Sequence, residues 1–236
     1  MKILALESSA VAASVAICEG EQLIAQSFLH TGLTHSQTLL PMVAGLLEDT
    51  KLSLDEIDLL SVAVGPGSFT GLRIGVSALK GLAWSKNIPC APCSTLEAMA
   101  WGGVGLEGEL CGVMDARRKQ VYNARFSSDG LSPRRLCPDR AISIEELGEE
   151  LRQTESKIWL LGDGAELCYH ALGEQCPNLR LAPGHLRMQM AWGVARCGLD
   201  LLEKRKVVSG DTLAPVYLRL SQAERERQER EGNVAE

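Results

Sequence analysis

The segment from Val64 to Gly75 constrains the fold more than any other part of this chain, because four of its twelve residues are glycine. It follows an apolar run over 58–64, which predicts a buried strand, and precedes a helical pattern over about 70–86. In α/β proteins ligands bind at the carboxyl ends of strands, and a glycine-rich turn before a helix can hold an anion with its amide groups. The segment therefore predicts an α/β fold with either an anion site or a close packing surface at this turn.

The spacing of these glycines matches neither common nucleotide loop. The third glycine of a Rossmann fingerprint would fall on Thr70, and no Gly-Lys-Ser/Thr sequence follows as in a Walker loop. One hypothesis is a weaker anion or nucleotide contact through Gly67, Ser68 and Arg73. We favour the other, in which Gly65–Gly81 lets the helices of another subunit come close, because each helical glycine costs up to about 1 kcal/mol relative to alanine.

Composition and charge restrict the class of protein. The 236 residues suffice for one large domain or two small lobes, and 45% hydrophobic and 23% charged residues are ordinary for a globular protein. A net charge of −6 argues against a protein that binds nucleic acid by itself, without a partner protein. No run reaches about 18 apolar residues and the first apolar run is too short for a signal peptide, so we expect a cytoplasmic protein without membrane association.

Periodicity and turn residues predict two lobes. The first, over 1–105, has a three-stranded meander, then alternating helices and strands, and ends near a glycine-rich hinge over 101–108. The second, over 106–220, ends in a long amphipathic helix over 186–205 that we expect to pack back on the first lobe. The polar tail 221–236 is predicted to be disordered. Predicted strands are 2–6, 13–18, 22–29, 58–64, 88–91, 110–114, 120–127 and 158–161. Predicted helices are 34–48, 70–86, 94–101 and 144–153. Capping boxes are predicted at Thr34–Gln37 and Ser143–Glu146.

Two helices carry more apolar surface than one core requires. On the helix over 34–48, apolar residues occupy two sides, and on the helix over 70–86 the side away from the core stripe is lined by small residues. A surface helix of a monomer needs only one apolar stripe, so the pattern predicts a protein interface, against the alternative of a simply well-buried helix. The predicted interface residues are His35, Leu39, Leu40, Met42, Val43, Leu47, Thr70, Arg73, Ile74, Ser77 and Gly81.

The sequence offers little catalytic chemistry. The four histidines include no pair at i, i+4, and no Gly-x-Ser-x-Gly nucleophile motif occurs. Cys90 and Cys93 form a CxxC pair at a predicted strand end, where buried structural cysteines are favoured over a redox pair. We therefore expect no catalytic residue, no metal and no cofactor.

Three segments lie where sugar-kinase and actin-like folds approach a nucleotide: Glu7–Ser9, Met114–Arg118 and Leu161–Ala165. Arg117 and Arg118 stand where glycines would be needed, so the phosphate contacts are predicted to be lost.

The chain resembles the TsaB (YeaZ) family of tRNA threonylcarbamoyladenosine biosynthesis. The residues that carry this resemblance are Ile3–Ser9, His35–Pro41, Val64–Gly81, Ser94–Glu97, Met114–Arg118 with Val121 and Tyr122, Leu161–Ala165 and Pro215–Arg219. The resemblance implies a two-lobed α/β fold of the actin, Hsp70 and sugar-kinase (ASKHA) superfamily, with a degenerate second lobe. It also implies that the two histidines of the catalytic homologue TsaD fall on Thr95 and Met99, so that this chain is a pseudo-enzyme subunit.

The same resemblance implies the partners. TsaD, which modifies the adenosine beside the anticodon, would bind the helices over 34–48 and 70–86, and the ATPase TsaE would act with them. The chain would form a homodimer when alone and meet tRNA only indirectly, through the complex. The alternatives left open are an independent nucleotide-binding ATPase, an M22-type peptidase, and a redox protein that uses Cys90 and Cys93.

Overall fold

A computed structural model describes residues 1–84 and 86–219. The tail predicted over 221–236 lies outside the described residues. Within the described part of the chain, no helix is long and apolar enough to cross a membrane.

The first lobe is a five-stranded sheet in the order β3-β2-β1-β4-β5. The first three strands form an antiparallel meander, and β4 and β5 run parallel to β1. Its elements are β1 (Lys2–Glu7), β2 (Ala13–Glu19), β3 (Gln22–Leu29), α1 (His35–Thr50), a short 3₁₀ turn (Leu54–Glu56), β4 (Leu59–Gly65), α2 (Phe69–Trp84), β5 (Cys90–Ser94) and α3 (Thr95–Gly102). The fifth strand thus lies later in the chain than the predicted 88–91.

The second lobe repeats this connectivity around a sheet in the order β11-β10-β6-β7-β8, in which β9 also pairs with β7. The two short strands β8 and β9 together occupy the place that β3 has in the first lobe, which is the sense in which this lobe is degenerate. A duplicated lobe of this topology is the fold of the actin, Hsp70 and sugar-kinase superfamily, as predicted. The elements are β6 (Glu107–Asp115), β7 (Gln120–Asp129), β8 (Pro133–Arg135), β9 (Arg140–Ser143), α4 (Ile144–Arg152), β10 (Ile158–Leu161), α5 (Ala165–Leu172), β11 (Leu179–Leu181), α6 (Gly184–Arg187) and α7 (Ala191–Glu203).

The prediction of one continuous helix over 186–205 is wrong. The chain is extended at Met188 and Met190, and α7 begins only at Ala191. Side chains of the first lobe determine this start, because the Ala191 amide donates to Ser14 Oγ at 3.2 Å and the Trp192 amide donates to Gln26 Oε1 at 3.1 Å. From there α7 packs across β1, β2, β4 and β5. It covers the face of the first sheet opposite α1 and α2 with an apolar layer of its own.

The capping box predicted at the start of α1 does not form. Thr34 is the residue before the helix, but its hydroxyl pairs with the Ser36 hydroxyl at 3.3 Å instead of a backbone amide. The box predicted at Ser143 and Glu146 is present, because the Glu146 amide donates to Ser143 Oγ and the Ser143 amide donates to the Glu146 carboxylate.

Residues 207–219 form a strap that runs over the first lobe and reaches the second. The Val216 amide donates to the Val64 carbonyl at 2.8 Å, and the Lys80 ammonium donates to the Leu213 carbonyl at 3.0 Å. At its end, Arg219 Nη1 donates to the Ala116 carbonyl of the second lobe at 2.9 Å. The strap therefore joins the two lobes beside the glycine turn.

Candidate partner groove and interlobe cleft

The helices α1 and α2 lie side by side and leave an open groove of about 650 Å³ between them. The side chains at its centre are mainly apolar, and Leu40 is 49% exposed. His35 at one end is anchored, because its Nε2 lies 2.7 Å from the Ala10 carbonyl oxygen. The lining residues are His35, Ser36, Leu39, Leu40, Phe69, Thr70, Arg73, Ile74, Ser77 and Ala78.

The structure corrects the predicted interface on α1. Met42 and Val43 are buried among the side chains of the first lobe's core, so they cannot form the surface that a partner would contact. Leu39 lines the groove but belongs to the same core and is only 1% exposed. A helical pattern with two apolar sides does not show which side faces the sheet. In the structure, the side with Leu39 and Val43 faces it. The predicted residues that are exposed or half-buried are His35, Leu40, Leu47, Thr70, Arg73, Ile74, Ser77 and Gly81.

The glycines also have a different role from the predicted one. A β-carbon at Gly71 would overlap the Ser8 carbonyl oxygen, and one at Gly75 would overlap Ser8 Oγ. The Ser8 hydroxyl donates to the Gly71 carbonyl at 2.9 Å, which fixes this close approach. Gly65 and Gly67 are likewise closed in by residues of the same chain. Gly67, Gly71 and Gly75 therefore let the turn and α2 approach the loop after β1, and Gly65 leaves room for the Val216 carbonyl of the strap. Of the five glycines between 65 and 81, Gly81 alone faces open space.

Trp84 was missed by the sequence reasoning. Its side chain is 84% exposed at the end of α2. The spacing of Thr70, Ile74, Ser77, Gly81 and Trp84 is 4, 3, 4 and 3 residues, which places all five on one face of the helix. Extending the small-residue side of α2 by one more step would have found it.

The two lobes enclose a second cavity, an interlobe cleft of about 500 Å³. Gly67 and Ser68 line this cleft, but Arg73 lines the groove instead. The Arg73 guanidinium lies 3.8 Å from the centre of the Phe69 ring, and its Nε donates to the Tyr217 hydroxyl at 3.1 Å. The predicted anion contact through Gly67, Ser68 and Arg73 is thus not assembled.

Carboxyl groups surround the floor of the cleft. Burial raises the pKa of Glu7 to about 7, although the Ser9 amide donates to its carboxylate at 2.6 Å. Burial also raises the pKa of Asp163, whose carboxylate accepts a 2.7 Å hydrogen bond from Gln189. Asp115 and Asp163 line the cleft, whereas Glu7 is buried and does not reach its surface. Carboxylates in this position repel a phosphate unless a cation is bound between them.

The turn between β6 and β7 lies at the mouth of the cleft. Arg117, Arg118 and Lys119 all adopt left-handed backbone conformations, with φ values of 64°, 56° and 57°. Left-handed φ is the region that glycine adopts freely, so the turn retains the backbone shape of a glycine-rich loop but presents long cationic side chains.

The remaining candidate residues are buried. Cys90 and Cys93 are both inaccessible on β5, and burial raises the pKa of Cys90 to about 11, which suppresses the reactive thiolate. Thr95 and Met99 on α3 are also buried, and Met99 packs in the core between the lobes.

Comparisons with known proteins agree with this architecture. Residues 30–225 match the family model of TsaD, tRNA N6-adenosine threonylcarbamoyltransferase. The chain is 30% identical over 225 residues to the tRNA threonylcarbamoyladenosine biosynthesis protein TsaB of Bacillus subtilis, covering 95% of this chain and 96% of the relative. It is 31% identical over 221 residues to TsaB of Escherichia coli, covering 93% and 95%.

A solved structure has the same fold. It is a Pseudomonas aeruginosa protein described as similar to peptidase YEAZ, with a TM-score of 0.76 at 24% identity, covering 92% of this chain and 99% of that one. The curated relatives match along nearly their whole length, and the duplicated lobes fit the same assignment. The chain therefore belongs to the TsaB family of tRNA threonylcarbamoyladenosine biosynthesis proteins.

Proposed function

We propose that this chain is a non-catalytic subunit that binds a TsaD-type transferase through the α1–α2 groove, acts with TsaE, and thereby supports threonylcarbamoyl modification of the adenosine beside the tRNA anticodon. In the absence of TsaD the same surface joins two copies of the chain. The observation that carries the proposal is the unpaired face of α1 and α2.

That face has the composition of an interface. Leu40 on α1 and Trp84 at the end of α2 are large exposed apolar side chains, and Ile74 on α2 is half-buried. Ser77 and Gly81 are small and exposed, and a β-carbon at Gly81 would meet nothing within 4 Å. Small residues let two helices approach closely, and flanking aromatic or aliphatic residues supply most of the binding energy of such contacts.

The proposal that the chain is non-catalytic is supported by the residues at two positions. By resemblance, the metal-binding histidines of TsaD correspond to Thr95 and Met99. Neither residue is a ligand that holds a catalytic metal such as zinc or iron in place of histidine. Both side chains pack inside the protein, and neither lines the interlobe cleft.

The decisive experiment places a charge in the groove without disturbing the core. Leu40→Glu and Ser77→Glu, purified with TsaD from the same organism, should each weaken the complex at least about ten-fold, since burying one unpaired charge costs more than 1.4 kcal/mol. Leu167→Glu is the matched control, because Leu167 is a 44% exposed leucine on helix α5 of the other lobe. Undiminished complex formation by both groove variants would refute the proposal.

An independent ATPase is the second candidate, because the interlobe cleft is large enough for part of a nucleotide and has Asp115 and Asp163 in its lining. Calorimetric titration of the isolated chain with Mg·ATP distinguishes an ATPase from a non-catalytic subunit. We expect no heat of binding at micromolar concentrations, and micromolar affinity with ATP turnover would replace the scaffold proposal with the enzymatic one.

A further inference from the structure

We propose that a basic arc at the mouth of the interlobe cleft contacts the phosphate backbone of the RNA substrate while this chain is part of the modification complex. The arc consists of Arg117, Arg118, Lys119 and Arg219 at the cleft, and it continues to Arg73 in the adjoining α1–α2 groove. The inference rests on the proposed function and adds to it a direct contact between this subunit and RNA.

The arc centres on the tip of the β6–β7 turn. Arg117, Arg118 and Lys119 are consecutive and exposed. Within residues 1–84 and 86–219, the side chains of Arg118 and Lys119 have no hydrogen-bond or ion-pair partner. The turn itself is fixed, because the Ala116 amide donates to the Gln120 carbonyl at 3.0 Å and the Gln120 amide donates to the Arg117 carbonyl at 3.1 Å.

Two further cations continue the arc across the cleft. Arg219 is held at the turn by its hydrogen bond to the Ala116 carbonyl, and it lines the cleft together with Arg117. Arg73 follows on the far side, where Tyr217 and Phe69 orient its guanidinium. Phe69 lines both the cleft and the groove, so the basic arc reaches the edge of the proposed partner surface.

Nearby carboxylates cancel only part of this charge. Asp115 pairs with Arg117 at 3.2 Å, and Asp163 lies deeper in the lining of the same cleft. Glu145 and Glu146 begin α4 close to Lys119, whose carbonyl accepts the Ile144 amide at 3.1 Å, and Glu146 is engaged by Ser143. Among the residues that the structure describes, Arg118, Arg219 and Arg73 form no ion pair, in a chain whose net charge is −6. A local positive surface on a protein that is acidic overall attracts a polyanion to that surface, while the rest of the protein repels it.

The backbone conformation of the β6–β7 turn gives a second, independent reason for the proposal. Each non-glycine residue in the left-handed region costs roughly 1 kcal/mol, and three occur in succession here. Glycine or asparagine would form this turn at lower cost, so three consecutive cations stand here against a local penalty, which is a reason to test the turn for a function. Long cations spread along an edge suit a backbone of repeated phosphates better than a single buried phosphate.

The test uses the assembled complex of this chain with TsaD and an unmodified tRNA transcript, titrated at several KCl concentrations. The double variant Arg118→Gln/Lys119→Gln should bind tRNA several-fold more weakly, and the slope of log affinity against log salt should fall by about 1 to 2. The matched control is Arg205→Gln/Lys206→Gln, which also removes two exposed charges, one of them at a left-handed residue with φ 56°.

Each outcome is informative. If wild type forms no complex with TsaD, the proposed function fails before the RNA is tested. If the complex forms and the arc variant keeps the wild-type affinity and salt slope, the RNA contact is refuted. If the variant instead loses TsaD or TsaE while tRNA affinity per assembled complex is unchanged, the arc is a protein contact and the inference is wrong. If the arc contacts the RNA, the arc variant raises the KM for tRNA and leaves kcat unchanged.

Discussion

The two lobes share one sheet topology but differ in the helices that cover it. In the first lobe α1 and α2 have 16 residues each, whereas their counterparts α4 and α5 have 9 and 8. The longer pair extends beyond its core and leaves the groove uncovered, with Leu40 and Trp84 exposed. The shorter pair ends where its core ends. Duplication has therefore preserved the strands, and the surplus helix surface of one lobe is available for association.

The second lobe instead satisfies its polar side chains internally. Arg125 forms two hydrogen bonds to the Glu109 carboxylate, at 2.6 and 3.0 Å, and a third to Glu150 at 3.1 Å. Arg140 binds the same Glu150 at 2.8 Å and also contacts Asn123. This network ties β6, β7, β9 and α4 together. The first lobe thus presents an exposed apolar face, whereas the second lobe pairs its charged side chains with one another.

The largest expected effect tests where the core of the first lobe ends. Val43→Glu should lower the free energy of unfolding by about 4 kcal/mol or more, because it buries an unpaired carboxylate against the sheet. Leu40→Glu, three residues away and 49% exposed, should change it by less than about 1 kcal/mol. Urea denaturation followed by circular dichroism measures both, and equal losses would mean that the groove is part of the core.

A comparable loss is expected in the second lobe from removal of a cation. Arg125→Met leaves the Glu109 carboxylate, which is only 5% exposed, without its partner. We expect a loss of about 3 kcal/mol in the free energy of unfolding. Arg152→Met, which removes an exposed arginine from the same lobe, is the control. If the two variants unfold at the same urea concentration, the buried network does not stabilise this lobe.

The equivalent strands β1 and β6 end in carboxyl residues with different surroundings. Glu7 ends β1 fully buried, while Asp115 ends β6 half-buried and paired with Arg117. Burial raises the pKa of Glu7 from 4.5 to about 7, so the folded state holds this proton more tightly than the unfolded state does. The stabilisation is complete below pH 4.5 and is lost as the pH rises towards 7, on the order of 3 kcal/mol in total.

Unfolding curves between pH 4.5 and 8 should show this loss for wild type, and Glu7→Gln should abolish it. An exposed substitution, Glu149→Gln, should leave the pH dependence unchanged. An unaltered slope in Glu7→Gln would assign the pH dependence to other groups.

The smallest expected changes in stability come from alanine substitutions at two glycines of α2. Gly71→Ala should cost about 2 kcal/mol despite the better helix propensity of alanine, because its β-carbon meets a backbone carbonyl that cannot move freely. Gly81→Ala should stabilise the protein by up to about 1 kcal/mol, since it enters open space. Thermal unfolding of the two variants measures the difference. A stabilising Gly71→Ala would contradict the close approach of α2 to the loop after β1.

The sequence predicted the features that depend on neighbours in the chain. Alternating and periodic apolar residues located β1 to β4 and both long helices, and Ser143 with Glu146 predicted the start of α4. The errors concern contacts between distant segments. Ser8 meets Gly71 across 63 positions, and Ser14 caps α7 across 177, so neither the role of the glycines nor the break before α7 has a local signal.

The groove was predicted only in part for a related reason. Both sides of α1 are apolar, and only the position of the sheet decides that Val43 is inside and Leu40 outside. The family resemblance points to α1 and α2 as the partner-binding helices, but it does not assign individual side chains. The basic turn was recognised as a lost phosphate loop, whereas its left-handed backbone became evident only from the structure.

The position of α7 has a consequence for protein synthesis. The first sheet is translated by residue 94, but the helix that covers one of its faces ends at Glu203, and the strap that completes the glycine turn follows it. A ribosome therefore releases more than a hundred further residues before that apolar face is covered. A nascent first lobe is a natural client for chaperones during this interval, and a fragment cut at the hinge near residue 105 should aggregate instead of folding alone.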